Sequence, residues 1–224
     1  MPLRWFCLPI LFSAFAVVAQ PAQAEATWQQ WLTLTGDVKL DEDDTLSANL
    51  ILRSRPDSFE IGQRFLRLGY THALNDDVSL TLNYAHVTTV VDSGSDLFQH
   101  RLAQSIAVKL LPHVDGRVQL EEVFGVTGSD YVGVRFRPRA RLRQPLDAGG
   151  EIELQLTEEA IFALNDTDFG QASGFTANRA GAAVHFDLGE HFAIMPGYTW
   201  QLINRSGAPV RNDHILGLTL EVHY

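Results

Sequence analysis

The sequence is almost without cysteine. Its single thiol, Cys7, lies near the amino terminus, within the first 24 residues. From residue 8 onward the chain can form no disulfide, bind no metal through thiolate and offer no cysteine nucleophile. Thiol-dependent enzymes and Cys-ligated metal proteins are therefore excluded. The eight histidines form no tight cluster with carboxylates, so we predict neither a metal site nor a cofactor.

Long apolar runs are also missing after residue 24. The first residues carry one cation, Arg4, then an apolar stretch over residues 5–19, and end in Ala22-Gln23-Ala24. The alternative is a transmembrane anchor, but the stretch is short of the roughly 20 residues that a bilayer span needs, and Gln20 and Pro21 interrupt it. The pattern predicts a signal peptide over residues 1–24, cleaved after Ala24.

Positive charge is scarce, with 17 Lys and Arg against 27 Asp and Glu and a formal net charge of −10. An acidic chain lacks the electrostatic attraction that nucleic acid binding requires, so we expect no nucleic acid partner. The remaining residues 25–224 fit a single domain.

Apolar and polar residues alternate along most of this domain. We count eleven alternating segments of roughly ten residues. Short polar turns near 41–44, 74–77, 111–116, 144–149 and 187–190 take turns with mostly longer loops near 56–60, 91–97, 125–130, 164–175 and 205–212. This arrangement is typical of an all-β, antiparallel up-and-down transmembrane barrel. We expect about 10–12 strands, and ten or twelve in preference to the eleven counted, because a bacterial barrel with both chain ends in the periplasm needs an even number.

A soluble secreted sandwich or barrel also alternates, and it is the alternative fold. Three features favour the membrane barrel: segments longer than sandwich strands, aromatic residues near segment ends, and a closing strand that stops on an aromatic. In that strand the apolar positions are Leu218, Leu220, Val222 and Tyr224. We predict that they form an outer-membrane C-terminal signal, read by the barrel-assembly machinery.

A row of arginines with period two stands in the stretch "RFRPRARLRQP" and consists of Arg135, Arg137, Arg139, Arg141 and Arg143. An arginine facing lipid at mid-bilayer costs about 2–4 kcal/mol, so the row must face the lumen. We expect Glu121, Glu151 and Glu153 to pair with it in a charge ladder that fills the barrel. The sharper hypothesis is a cationic stripe along a narrow pore for small anions.

Three positions do not fit a regular strand pattern. Pro138 and Pro196 fall inside segments, where we expect β-bulges. Glu158 falls on the apolar face unless the strand register shifts at "TEE".

The domain resembles the bacterial outer-membrane family called domain of unknown function 2490. The resemblance rests on an early Trp-centred strand, His100-Arg101-Leu102, the arginine row, Asn178-Arg179, "QLINR" at 201–205 and a closing strand led by His214. It covers most of residues 28–224 and implies a place in the outer membrane, among its lipids. The family has no established activity.

An enzyme is the alternative from another class, because some outer-membrane barrels are lipid hydrolases or acyltransferases that use a serine and a histidine on the outer wall. The candidates here are His72, His86, His100 and His185, with Ser79 or Ser105. No His-x-Ser step supports them, so we expect a non-enzymatic, porin-like protein with no catalytic residues. The acidic run at 41–44 is interpreted as a turn in preference to a Ca²⁺ site.

Overall fold

The computed structural model describes residues 25–205 and 207–224, so the predicted signal peptide and Cys7 lie outside the described residues. The described residues form eleven strands: β1 (Glu25–Lys39), β2 (Asp44–Ser54), β3 (Ile61–Ala73), β4 (Val78–Thr89), β5 (Leu97–Leu111), β6 (Val114–Phe124), β7 (Gly133–Pro145), β8 (Ile152–Ala163), β9 (Gly174–Asp187), β10 (Phe192–Ile203) and β11 (Arg211–His223). Among these residues no helix is long and apolar enough to cross a membrane.

The strands close into one barrel in which each strand pairs antiparallel with its neighbours in sequence. The exception is the seam, where β1 and β11 pair in parallel over thirteen residue pairs, from Glu25↔Arg211 to Asp37↔His223. The predicted all-β barrel is confirmed. The expectation of an even strand number is wrong, because a parallel seam closes an odd number of strands.

The odd strand number puts the two ends of the described chain at opposite ends of the barrel. Glu25 pairs with Arg211, whereas the Lys39 backbone N–H donates to the Tyr224 carbonyl at 2.9 Å. Tyr224 lies at the end that carries the turns 40–43, 74–77, 112–113, 146–151 and 188–191, here called the short-turn end. The other end, here the long-loop end, carries the loops 55–60, 90–96, 125–132, 164–173 and 204–210.

The two faces of the sheet differ in chemistry. Along β11, Leu216 is 52% exposed on the outer wall, while Ile215 is 1% exposed and Asp213 is fully buried. Successive side chains point to opposite faces. The inward direction follows from contacts that skip strands, since Arg117 on β6 donates to Glu159 on β8 at 2.6 Å, past β7. The ionic face therefore lines the lumen and the apolar face forms the outer wall.

Proline does not produce the expected bulges. Pro138 pairs in register with Val118, and Pro196 with Leu218. On the other side of each proline the ladder is interrupted for two residues and resumes in the same register. A proline lacks one N–H, so it removes bonds to one neighbouring strand without needing an extra residue. The register shifts instead between Arg53/Ser54, Lys109/Leu111 and Ile161/Phe162.

Glu158 stays on the outer wall, because β8 runs without a shift from Ile152 to Ile161. Its carboxylate accepts a hydrogen bond at 2.7 Å from the Asn178 side-chain amide, which lies on the same face of β9. The local pairing of two polar groups thus replaces the register shift that the sequence suggested.

Asp213 holds the parallel seam from inside the barrel. It is fully buried. Its carboxylate accepts hydrogen bonds from Thr27 Oγ1 at 2.7 Å and Gln29 Nε2 at 3.3 Å on β1, and from Gln201 Nε2 at 3.0 Å on β10. Arg211 Nη2 on β11 donates a further bond at 3.0 Å. One carboxylate therefore links β1, on one side of the seam, to β11 and β10 on the other side.

We predict that Asp213→Ala lowers the free energy of unfolding by about 3–5 kcal/mol, because four donors lose a shared, fully buried acceptor and Arg211 loses its counter-charge. Thermal unfolding followed by circular dichroism measures the change. Asp130→Ala, at an exposed position of the loop 125–132, is the matched control and should stay within about 0.5 kcal/mol of the parent. Equal transitions for the two variants would contradict the role of Asp213.

Candidate functional site

The most distinctive feature of the lumen is a cluster of arginines around two glutamates at mid-height. We call it the arginine belt, and define it as Arg53, Arg67, Arg101, Arg117, Arg135, Arg137, Arg139 and Arg179 with Glu121 and Glu159. The arginines come from six strands, β2, β3, β5, β6, β7 and β9, and the two carboxylates from β6 and β8. Each lies at an inward position of the alternating pattern.

Arg137 is the centre of the belt. Its Nη1 donates to Glu121 Oε2 at 2.8 Å and its Nη2 donates to Glu159 Oε2 at 2.8 Å. All three side chains are buried, at 9%, 3% and 7% exposure. Ionised hydrogen bonds of this length are roughly twice as strong as neutral ones, so the guanidinium ties β6, β7 and β8 together.

Each glutamate serves further arginines. Glu121 has Arg101 Nη1 at 3.7 Å and Arg135 Nη1 at 3.5 Å. Glu159 has Arg117 Nη2 at 2.6 Å and Arg179 Nη1 at 3.5 Å. Two carboxylates thus share five guanidinium groups, which removes most freedom of rotation from these side chains.

The arginine row of β7 meets different partners along its length. Arg135 and Arg137 contact Glu121, whereas Arg141 and Arg143 lie 3.0 and 3.4 Å from Asp115. Arg139 has no carboxylate within 4 Å among the described residues. The row therefore has carboxylate partners at both of its ends and, among the described residues, none at Arg139 between them.

The expected partners Glu151 and Glu153 do not contact the row in the described structure. Glu151 is exposed at the end of the turn 146–151, and Glu153 pairs in register with Pro145 and accepts from Gln155 Nε2 at 3.0 Å. The six-residue turn shifts the pairing, so that Arg139 faces Glu159 across the ladder. Glu159 was missed because its neighbour Glu158 obscures the alternation. The sequence does contain the signal: Glu153 and Gln155 point inward, and two further alternations along the same strand lead to residue 159.

Aromatic rings support the belt on the side of the seam. The Arg53 guanidinium lies 3.9 Å from the Trp31 ring centroid and 4.2 Å from that of Phe65. Arg179, reaching from β9, lies 5.5 Å from the same Trp31 ring. Arg101 lies 5.3 Å from Phe65. Cation–π contacts of this kind contribute about 0.5–2 kcal/mol each when desolvated.

A group of buried apolar side chains, here called the apolar layer, lies in the lumen beside the belt. It consists of Ile51, Phe65, Val87, Val123 and Ile215. Among them Ile51, Phe65 and Val87 form one contiguous cluster. These side chains occupy part of the lumen at the level of the belt.

The loop 164–173 lies at the long-loop end and contacts the belt. Its Gln171 is buried, accepts a hydrogen bond from Arg135 Nε at 2.7 Å, and donates to the Asn165 carbonyl at 3.2 Å. Asp166 accepts the Ser173 backbone N–H at 2.7 Å, which lowers the pKa of the Asp166 carboxyl. The loop is thus fixed at both ends and linked to the belt.

The short-turn half of the lumen is more open. A cavity of about 190 Å³ lies there, bounded by Trp31 and by small or hydroxyl-bearing residues such as Thr33, Thr157, Gly181 and Gly217. Near the mouth of the barrel, Glu221 Oε2 lies 3.6 Å from His185 Nε2 and 3.5 Å from His223 Nε2. Glu221 and the two histidines are further apart than hydrogen-bonding distance.

The residues considered for lipid hydrolysis are divided between the two faces. His72, His86 and His100 lie on the outer wall, whereas Ser79 and Ser105 point into the lumen. His185 is also lumenal. The sheet therefore separates His72, His86 and His100 from both serines, and these three histidines form no nucleophile–base pair with them.

Metal-binding groups are likewise not formed. Within residues 25–205 and 207–224 no three His, Cys, Asp or Glu side chains are placed to hold a metal ion. In the acidic turn, Asp41 Oδ1 accepts the backbone N–H groups of Asp43 and Asp44 at 3.0 and 2.8 Å, which is a turn-forming role.

The C-terminal residues singled out in the sequence lie on the outer wall of β11 and just beyond it. Leu218 and Leu220 are each more than one-third exposed. Tyr224 stacks on His191 with ring centroids 5.3 Å apart, at the short-turn end. This is the surface that a signal read from outside the barrel would have to present.

Comparison with known proteins places the chain in a family. The family described as "Protein of unknown function (DUF2490)" matches residues 28–212, and the chain belongs to it. An uncharacterized protein of Methylorubrum extorquens is 29% identical over 231 residues, covering 96% of this chain and 97% of that protein. No solved structure matches. The family resemblance seen in the sequence is confirmed, and it brings no known activity.

We predict that Glu159→Ala lowers the free energy of unfolding by about 3–5 kcal/mol, because Arg117, Arg137 and Arg179 lose their shared counter-charge in a buried site. Glu153→Ala is the matched control on the same strand and face, and should cost about 1 kcal/mol or less. Thermal unfolding of the two variants decides. A larger loss for Glu153→Ala would show that the ladder pairs as the sequence alone suggested.

Proposed function

We propose that this chain is an integral β-barrel protein of the bacterial outer membrane, whose charged and largely filled lumen serves to stabilise a closed cylinder. Its role is structural, and we assign it no catalytic step. The observation that carries the proposal is the inversion of the usual distribution: large apolar side chains cover the outer wall while ion pairs occupy the interior.

The outer wall is far more apolar than a water-exposed surface allows. Leu66, Leu68, Leu82, Ile106 and Leu216 are each about half exposed on adjacent strands. Monomeric soluble proteins rarely expose contiguous apolar patches larger than a few hundred Å². Acyl chains of outer-membrane lipids supply the contact that such a wall requires, and they tolerate strands only in a closed barrel.

Aromatic residues on the outer wall gather at two levels, as they do at the two interfaces of a membrane barrel. Toward the long-loop end lie Trp28 and Phe98. At mid-strand, Tyr84 OH lies 2.6 Å from His100 Nδ1 and Tyr198 OH lies 2.7 Å from His214 Nδ1. Toward the short-turn end lie Tyr70, Phe192 and Tyr224. In this orientation the short turns and Tyr224 face the periplasm, where the barrel-assembly machinery reads the C-terminal strand.

We predict that Leu66→Arg makes folding into the membrane less favourable by about 2–4 kcal/mol, because Leu66 lies mid-strand on the outer wall, where an arginine would contact acyl chains. Leu188→Arg, in the turn 188–191 and 64% exposed, is the matched control and should change little. Outer-membrane fractions analysed on gels with and without boiling report the folded, compact band. If Leu66→Arg folds as well as the control, or if the parent chain is recovered without detergent, the wall does not face lipid.

A narrow conduit for small anionic solutes is the second candidate function. It is favoured by the excess of arginine in the lumen and by the open short-turn half, while the buried apolar layer opposes steady flow. Planar-bilayer recording separates the two functions.

For a conduit we expect anion-selective steps whose selectivity falls when Arg139 and Arg141 are both changed to glutamine. For a closed cylinder we expect no steps from the parent chain. Loss of selectivity in a double variant of two arginines outside the belt, exposed Arg64 and half-buried Arg205, would instead trace it to surface charge.

A further inference from the structure

The arginine belt holds more positive charge than its own carboxylates neutralise. Eight guanidinium groups stand against Glu121 and Glu159, so eight positive charges less two negative ones leave an excess of six. Two further lumenal carboxylates, Asp115 and Asp213, have arginine partners outside the belt. A ladder that served only to stiffen the barrel would need no such excess.

The excess is concentrated around Arg53. The charged groups that act on it most strongly are arginines, Arg67, Arg101, Arg137 and Arg179. Among the described residues no carboxylate lies within 4 Å of its guanidinium group. Its contacts with the rings of Trp31 and Phe65 offset only part of the free energy that burying an unpaired charge costs.

Several donors in the belt also have no acceptor. The Nε atoms of Arg53, Arg101, Arg117, Arg137 and Arg139 are buried and find no hydrogen-bond partner among the described residues. A buried donor without a partner destabilises the folded state, and it does so more strongly when it is charged. Unneutralised charge and unused donors therefore occur at the same place.

We propose that the belt binds a small oxyanion of the phosphate or sulfate kind beside Arg53, Arg101 and Arg179. The rings hold these three groups together, since Arg53 and Arg101 share Phe65 and Arg53 and Arg179 share Trp31. The planar guanidinium fork matches two oxygens of such an anion. The proposal rests on the charged lumen of the proposed function, but not on ion flow through it.

The cavity of about 190 Å³ gives access to this site from the short-turn half. It reaches Trp31, on whose ring Arg53 and Arg179 lie. Glycines keep it open: a Cβ at Gly181 would come within 2.6 Å of Thr157 Oγ1.

The test uses the full chain folded in detergent and three proteins: the parent, Arg53→Met and Arg64→Met. Arg64 is exposed on the outer face of β3, so its variant removes the same charge without touching the lumen. The midpoint of thermal unfolding is measured against sodium phosphate, with sodium chloride keeping the ionic strength constant. Isothermal titration of phosphate into the parent gives the affinity directly.

We expect a saturable rise of the midpoint with phosphate for the parent and for Arg64→Met, and about tenfold or greater weakening of phosphate binding for Arg53→Met. A rise that is linear and equal in all three proteins is a general salt effect and overturns the proposal. So does the absence of saturable heat in the parent, which decides the matter even if Arg53→Met does not fold. Neither result bears on membrane location, which fractionation tests separately.

Discussion

Arg137 donates to Glu121 and Glu159 inside a closed sheet, and the remaining structure depends on this shared contact. A guanidinium on β7 that engages carboxylates on both neighbouring strands fixes which face of β6, β7 and β8 points inward. Once that face is fixed, the period of two places every apolar residue of these strands on the opposite wall. The same contacts therefore determine both the ionic interior and the apolar exterior. A shift of one residue in the register of any of the three strands would turn its charged side chains outward and its apolar side chains inward.

The sheet closes into a barrel because the backbone N–H and C=O groups of its first and last strands also need hydrogen-bond partners. A strand edge leaves backbone donors and acceptors without partners, which lipid does not tolerate. Here the first and last strands run in the same direction, and their parallel ladder satisfies both edges. Parallel pairing is slightly less stable per residue than antiparallel pairing. Asp213 adds a buried side-chain link at the one place where the ladder is of the weaker kind.

Much of the fold could be predicted from the sequence because alternation is a local property. The eleven segments, the change between short turns and longer loops, and the inward direction of the arginine row all depend on neighbouring residues only. The contacts of the belt could not be predicted in this way. Arg117 reaches Glu159 past an intervening strand, and Arg179 meets Trp31 past two strands, so both require the curvature of a closed barrel. Glu153 was expected in place of Glu159 because turn length, which sets the register, was not known.

The charged groups of the lumen can serve two roles, stabilising the barrel or binding an anion. Paired charges are enough to stabilise the barrel, and the ion pairs of Asp115 and Asp213 are of that kind. The belt is different, because its arginines outnumber its carboxylates and Arg53 lies among groups of its own sign. Like charges crowded in a dry site raise the free energy of the folded state unless a mobile ion neutralises them. The cavity in the short-turn half reaches Trp31 and offers such an ion a route to the belt. An excess of guanidinium groups held together by the rings of Trp31 and Phe65 therefore favours binding an anion at this level of the lumen.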